Sequence, residues 1–129
     1  MILDTSAILA VLFKDPDAAL YAEAITNADS CRISAATFVE LCMVVAAASG
    51  DAGIVECDIF FRGNMIAIEP FDERQAYLAR QGFLIYGRGR HPARLNLGDC
   101  FSYALAKVSG EPLLFKGNDF KQTDIAAAI

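Results

Sequence analysis

The sequence predicts an α/β domain built on a short central parallel sheet flanked by helices. Short apolar runs recur along the chain as MIL at 1–3, CRIS at 31–34, MIAIEP at 65–70 and PLLF at 112–115. Longer segments of helical character separate them, and this alternation is typical of parallel strands joined by crossover helices. No repeat or linker interrupts the pattern, so we expect residues 1–129 to form a single domain.

The first half of the chain contributes two strands and two helices before its longest apolar segment. After the strand MIL, SAILAVLF is expected to be helical, with Thr5 or Ser6 as its N-cap. DPDAALYAEAITNA predicts a second helix with Asp15 as N-cap and Pro16 at its first position. The strand CRIS leads into SAATFVELCMVVAAASG, which is apolar nearly all the way round. We expect this segment to be an interior helix that ends at Gly50.

The second half continues the alternation to the end of the chain. DAGIVECDIFFRGN predicts a helix that ends near Gly63, and MIAIEP a short strand. DERQAYLARQGFLIYG is an amphipathic helix, RGRHPARLN a loop and GDCFSYALAKVSG the last long helix. The last clear strand is PLLF, and the turn GNDF follows it.

Composition excludes some classes of protein and favours others. Hydrophobic residues make up 55% of the chain, enough for a core and for a buried surface against a homodimer mate or another partner. A net charge of −5 argues against a general nucleic-acid coat protein, whose affinity comes from a basic surface.

The sequence also predicts the cellular location of the protein and the redox state of its cysteines. The longest uncharged stretch in the middle, Leu41 to Gly50, is shorter than the roughly 20 residues of a membrane span. No secretory signal is visible, so we expect a cytoplasmic protein outside any membrane. The four cysteines form no C-x-x-C pair and are expected to be reduced, small buried side chains.

Four acidic residues stand out by their positions. Asp4 follows the first strand, Glu40 lies among apolar neighbours on its helix, Asp99 opens the last long helix and Asp119 follows the last strand. Taken singly, each has an ordinary explanation: a helix cap for Asp4 and Asp99, a helix edge for Glu40 and an Asx-turn for Asp119.

The predicted fold brings these four residues to one place. Strands of an open parallel sheet present their ligand sites at the carboxyl ends, where Asp4 and Asp119 fall and where two helices can add Glu40 and Asp99. Two unit charges about 5 Å apart repel by roughly 3 kcal/mol at an effective dielectric of 20. Four such charges therefore require protonation or cations, and an all-oxygen site suits Mg²⁺ or Mn²⁺.

A basic segment precedes Asp99. No acidic residue occurs from Arg74 to Gly98, whereas Arg88, Arg90 and Arg94 are close together in the predicted loop. These arginines could hold a phosphate backbone beside the acidic pocket, and are candidates for nucleic-acid binding. The alternative is a solvated loop whose charges serve solubility or salt bridges. We assign the nearby His91 no catalytic role.

The chain resembles the PIN-domain ribonucleases of the VapC toxin type over essentially its whole length. The resemblance lies in MILDTSAILAVL, SAATFVEL, RGRHPARLNLGDCFSYALAK and PLLFKGNDFKQTDI, of which the third is the most specific. It implies an α/β/α fold and a toxin that cleaves RNA with a divalent metal. It also implies an antitoxin of the VapB type encoded beside it, which could insert Arg or Lys into the acidic pocket. The cut would leave a 3′-hydroxyl and a 5′-phosphate.

The family's acidic positions fall on Asp4, Glu40 and Asp99 in this sequence. Many relatives carry an acid where this chain has Gly117, and some where it has Asn118. The fourth ligand could therefore be Asp119, with Asn118 assisting through its amide oxygen, or the site could hold metal with three strong ligands. Ser6 could orient one of these carboxylates or a metal-bound water through a hydrogen bond, without binding the metal itself.

Two rival functions remain open. In an aspartyl phosphatase Asp4 would attack phosphorus directly, but such enzymes generally need a second acid two residues on, where this chain has Ser6. A non-catalytic PIN-like module would keep the fold and act only through its partner protein. Mn²⁺ uptake that depends on the carboxylates distinguishes the ribonuclease from the module. The identity of the RNA is not encoded in any recognisable segment.

Overall fold

The computed structural model describes residues 1–129 and contains one four-stranded parallel sheet. Its strands are β1 (Ile2–Leu3), β2 (Arg32–Ser34), β3 (Ala67–Glu69) and β4 (Leu113–Leu114). They lie in the order β3-β2-β1-β4, and every pairing is parallel. The chain therefore builds one side of the sheet from β1 outward and returns to add β4 on the other side. This reversal at β1 is a topological switch point, where α/β sheets bind their ligands.

Five helices connect and cover the strands. They are α1 (Thr5–Leu12), α2 (Ala18–Asn27), α3 (Ala35–Gly63), α4 (Glu73–Tyr86) and α5 (Leu97–Ser109), and a short 3₁₀ turn follows at Phe120–Gln122. Each predicted strand and helix is present near its expected position. The predicted α/β fold is confirmed.

The start of α2 differs from the prediction. Asp15 and Pro16 belong to a turn, and the helix begins at Ala18 with Asp17 at its N-cap position. The carboxylates of Asp15 and Asp17 both accept hydrogen bonds from the ammonium group of Lys116, at 2.7 and 2.6 Å. A contact across the fold therefore holds these residues in the turn, and no local helix signal could reveal it.

The prediction that the SAATFVELCMVVAAASG helix is an interior one is also wrong. Thr37, Leu41 and Val45 are buried, but Val39 is 56% exposed and Met43 69% exposed. One stripe at helical spacing packs on the sheet while the opposite apolar face is open. Gly50 has φ 61° and breaks the helix where an end was predicted, and the next helical segment follows without a linker.

Helix α3 is long and apolar enough to cross a membrane when judged by length and composition alone, with a mean hydropathy of 1.7. The uncharged stretch from Leu41 to Gly50 is much shorter and does not predict this. In the structure the non-helical Gly50 interrupts the segment. Leu41, Val45, Cys57 and Phe61 on both sides of the break belong to the buried core, so α3 is a packed helix of this domain.

The core lies in two layers, one on each face of the sheet. Ile2 and Leu113 pack into the cluster formed with α4 and α5. Leu3 and Leu114 pack into the cluster formed with α1, α2 and α3. Neighbouring residues of a strand point to opposite faces, so even two-residue strands supply both layers. The result is the α/β/α arrangement that the resemblance implied.

Candidate metal centre

Asp4 is the central residue at the carboxyl edge of the sheet. It follows β1 directly and is only 5% exposed, and its backbone amide donates to Leu114 O in β4 at 3.0 Å. Its Oδ2 accepts from the backbone amide of Ser6 at 3.0 Å and from the Ser6 hydroxyl at 2.6 Å. Asp4 is thus the N-cap of α1, and the expectation that Thr5 or Ser6 is the cap is wrong.

The remaining oxygen of Asp4 contacts the opposite layer. Its Oδ1 accepts a 2.7 Å hydrogen bond from the hydroxyl of Ser102 on α5. The Ser102 oxygen lies 3.3 Å from Oγ1 of Thr37 on α3, and both of these side chains are fully buried. Sequence reasoning missed both hydroxyls, although each is one helical turn from an acidic residue already singled out.

Glu40 reaches the same region from the first part of α3. Its Oε2 accepts from the hydroxyl of Thr5 at 3.1 Å. Gly98 on α5 leaves the space that the Glu40 carboxylate fills, since a Cβ at position 98 would overlap both carboxylate oxygens. Burial raises the pKa of Glu40, the Thr5 hydrogen bond lowers it and the negative charge of Asp4 raises it again.

Asp99 lies in the first turn of α5. The N-cap is Asn96, so the expectation that Asp99 caps this helix is wrong, but the two residues form a capping box. The Asp99 amide donates to Asn96 Oδ1 at 3.0 Å and the Asn96 amide donates to Asp99 Oδ2 at 2.8 Å. Burial raises the pKa of Asp99 to about 6. The Asn96 amide opposes this rise, and the charges of Asp4, Asp119 and Glu40 add to it.

Asp119 is the fourth member and the most exposed. It precedes the 3₁₀ turn after β4 with helical dihedral angles and caps nothing with its side chain. Asn118 is exposed beside it, and its carbonyl accepts from Lys121 N at 3.2 Å. Gly117 has φ 107°, a conformation that side-chain-bearing residues rarely adopt. An acidic residue at position 117 would be strained in this loop conformation.

The four carboxylates of the cluster have no cationic partner in the protein, unlike five other acidic residues of the chain. Asp15, Asp17, Glu69, Glu111 and Asp124 each pair with a cationic group of the protein. The cluster residues Asp4, Glu40, Asp99 and Asp119 take part in none of these salt bridges. Repulsion within the cluster is felt at Asp99 and is not offset by any lysine or arginine.

This donor set fits a hard divalent cation. Uncompensated carboxylate oxygens are the ligands that Mg²⁺ and Mn²⁺ prefer. No three acidic, histidine or cysteine side chains form a closed ligand group in this conformation. Asp4 and Asp99 instead turn oxygens to hydroxyl and amide donors of the chain. Three carboxylates would therefore meet at one cation only after some of these side chains rotate.

The predicted basic loop closes just before α5. A parallel bridge between Gly87 and Leu95 forms its base, and Leu95 directly precedes the N-cap Asn96. Arg88, Arg90 and Arg94 are exposed and form no salt bridge. They line an open depression of about 510 Å³. The loop thus presents guanidinium groups without salt bridges, of which that of Arg90 lies over the ring of Phe83, from the segment that leads into Asp99.

Comparison with known proteins identifies the family to which the chain belongs. The family model of the PIN domain matches residues 1–126, nearly the entire chain. Ribonuclease VapC of Mycolicibacterium smegmatis is 46% identical over 127 residues, which cover 98% of each chain. Ribonuclease VapC28 of Mycobacterium tuberculosis is 49% identical over 131 residues, covering 100% of this chain and 98% of that protein. The chain belongs to the VapC branch of the PIN-domain family.

Solved structures agree on the fold at low sequence identity. Mycobacterium tuberculosis VapC20, described as a sarcin-ricin loop cleaving toxin, superposes with a TM-score of 0.78 at 15% identity over 97% of this chain and 95% of that one. A chain of VapBC2 from Rickettsia felis, bound to a DNA fragment from its promoter, gives 0.73 at 16% identity over 98% and 94%. The α/β/α fold is therefore shared with toxins and toxin–antitoxin complexes.

Proposed function

We propose that this protein is the ribonuclease toxin of a VapBC-like toxin–antitoxin pair and that it hydrolyses RNA phosphodiester bonds with Mg²⁺ or Mn²⁺. The observation that carries the proposal is the group of four carboxylates at the switch point of the sheet, none paired with a lysine or arginine. Relatives of nearly the same length that share almost half of the sequence are ribonucleases by name.

In this proposal the carboxylates of Asp4, Glu40, Asp99 and Asp119 hold the cation. Asn118 directly precedes Asp119 and could add its amide oxygen as a further ligand. When bound, such an ion would lower the pKa of an attacking water and would neutralise charge on the scissile phosphate. The chain's own part is to fix the carboxylates: Ser6 holds Asp4 Oδ2, Thr5 holds Glu40 and the capping box holds Asp99.

The test is cleavage of RNA by the wild-type protein and by Asp4→Asn and Asp99→Asn variants in excess Mg²⁺, together with calorimetric titration of Mn²⁺. We expect both variants to lose at least about a hundredfold in rate, the scale of removing a principal electrostatic group. We also expect them to take up Mn²⁺ more weakly. Variants that degrade RNA as fast as the parent would exclude the site.

The exposed arginines supply a place for the RNA backbone. Arg88, Arg90 and Arg94 have no carboxylate partner, and guanidinium groups bind phosphate oxygens in pairs. The loop ends beside the N-cap of the helix that carries Asp99. We propose that it holds phosphates of the substrate next to the scissile bond.

A VapB-like antitoxin could bind the acidic cluster and the exposed apolar surface of this protein. A segment bearing Arg or Lys can compensate the acidic cluster, and its apolar face can cover exposed hydrophobic surface. We also propose a homodimer, for which the open apolar face of α3 supplies surface. The four cysteines are free thiols, in keeping with a cytoplasmic protein.

The two rival functions have less support. Asp4 does not fit the role of a phosphatase nucleophile, since Ser6 stands where the second acid would be. A module that acts only through its partner has no need for four unpaired carboxylates, whose mutual repulsion is costly. Failure to take up Mn²⁺ in calorimetry would favour the module.

A further inference from the structure

We propose that Ser102 is a positioning residue that sets the affinity of the acidic cluster for a divalent cation, and that Thr37 in turn orients Ser102. The inference rests on the proposed function of the cluster. It concerns two hydroxyls that lie behind Asp4, deep in the protein, where neither can touch the substrate. Both side chains are 0% exposed.

The hydrogen-bond directions follow from counting protons. Ser102 has one hydroxyl proton, and its 2.7 Å bond to Asp4 Oδ1 uses it, because an ionised carboxylate can only accept. Thr37 must therefore donate in the 3.3 Å contact between the two hydroxyl oxygens. The chain of bonds runs from Thr37 to Ser102 to Asp4. Bonds aligned in this way polarise and strengthen one another in a buried setting.

The same counting identifies the oxygen of Asp4 that remains available. A carboxylate has about four acceptor positions, two on each oxygen. Oδ2 uses both of its positions, for the amide and the hydroxyl of Ser6, whereas Oδ1 uses one, for Ser102. A cation would therefore take the second position of Oδ1, the oxygen that Ser102 itself holds.

The two hydroxyls also connect the elements that carry the other carboxylates. Thr37 lies one turn before Glu40 on α3, and Ser102 lies one turn after Asp99 on α5. Their contact links these two helices, and the Ser102 bond extends the link to Asp4 at the end of β1. Removal of the Ser102 hydroxyl would leave Asp4 Oδ1 without its donor, so that only the Ser6 bonds to Oδ2 would hold the carboxylate, which weakens a preorganised cation site.

The experiment is calorimetric titration of Mn²⁺ into the wild-type protein and the Ser102→Ala and Ser109→Ala variants, with kcat and KM for RNA in parallel. Ser109 is the matched control, since it is on the same helix and donates to Leu105 O instead, at 2.8 Å. We expect Ser102→Ala to raise the Kd for Mn²⁺ about tenfold or more and to lower kcat, with KM changed less than about twofold. Ser109→Ala should leave all three values unchanged.

A second pair of variants covers the case in which Ser102→Ala fails to fold. Thr37→Val keeps the shape of the side chain without its hydroxyl, and Thr37→Ser keeps the hydroxyl. Weaker Mn²⁺ binding in Thr37→Val than in Thr37→Ser supports the proposal, and equal binding overturns it. Equal Kd values for Ser102→Ala and the wild type also overturn it. A wild-type protein that takes up no Mn²⁺ instead refutes the proposed function, on which the inference depends.

Discussion

At the residue scale, Asp4 shows how one side chain serves both stability and chemistry. Its Oδ2 caps α1 through the Ser6 amide, a contact typically worth about 1 kcal/mol. Its other oxygen keeps an acceptor position at the edge of the sheet. The two explanations that compete in the sequence, helix cap and cation ligand, are therefore compatible, because a carboxylate has two oxygens.

Asp99 should make the stability of the metal-free protein depend on pH. Its folded-state pKa of about 6 lies above the unfolded value of about 4, so the folded protein binds the proton more tightly. The contribution is favourable below about pH 4 and is lost as the pH rises through 6. We expect Asp99→Asn to remove this pH dependence, gaining about 1 kcal/mol relative to the wild type between pH 4.5 and 7.5 after allowance for solvent screening.

Urea unfolding in the presence of a chelator measures this difference. An asparagine at position 99 can still accept from the Asn96 amide, so the capping box survives. Asp29→Asn removes an exposed carboxylate outside the cluster and is the matched control. Parallel pH profiles for the wild type and Asp99→Asn would contradict the prediction.

At the element scale, the start of α5 is shaped to leave room for α3. Gly98→Ala would place a Cβ against both oxygens of the Glu40 carboxylate. Because that group is the end of a flexible side chain, we expect it to move without unfolding the protein, at a cost below about 1 kcal/mol. Displacement of Glu40 should weaken Mn²⁺ binding and lower the rate of RNA cleavage at least about tenfold.

Gly63→Ala is the control for this substitution. It lies at the end of α3, and a Cβ there would meet no atom within 4 Å. Thermal melts, Mn²⁺ titration and cleavage assays on the two variants separate displacement from unfolding. Full activity in a folded Gly98→Ala protein would show that the position of Glu40 is not required.

The basic loop makes a prediction about salt dependence. Arg88→Ala combined with Arg94→Ala should weaken RNA binding and reduce the slope of log affinity against log salt by about 0.7 for each phosphate that is no longer neutralised. Fluorescence anisotropy in the Asp99→Asn background measures binding without cleavage. Arg62→Ala, at the far end of α3, is expected to leave the slope unchanged. An unaltered slope in the double variant would favour a merely solvated loop.

At the scale of the whole molecule, apolar side chains remain outside the two core layers. Val39 and Met43 on α3 are 56% and 69% exposed, and Leu84 and Ile85 on α4 are about half exposed. An open apolar face of this kind is typical of an interface. It also explains the high hydrophobic content of the chain, which exceeds what the core consumes.

The proposed homodimer can be tested on that face. Met43→Glu introduces a charge without disturbing the helix, since glutamate is a good helix former. We expect sedimentation to show a dimer for the wild type at micromolar concentration and a shift toward monomer for the variant. Leu20→Glu, on an exposed site of α2, should leave the mass unchanged. A wild-type protein that stays monomeric at all concentrations would exclude the homodimer.

Local sequence patterns are sufficient to predict the order of the strands and helices along the chain and to single out the four acidic positions. Both follow from periodicity, turn residues and the rule that parallel strands present sites at their carboxyl ends. These patterns do not reveal that Lys116 shifts the start of α2, that one face of α3 is open or that Ser102 holds Asp4. Each of these features depends on residues far apart in the chain that meet only when the sheet closes. The packing of the folded chain alone decides which side chains become neighbours.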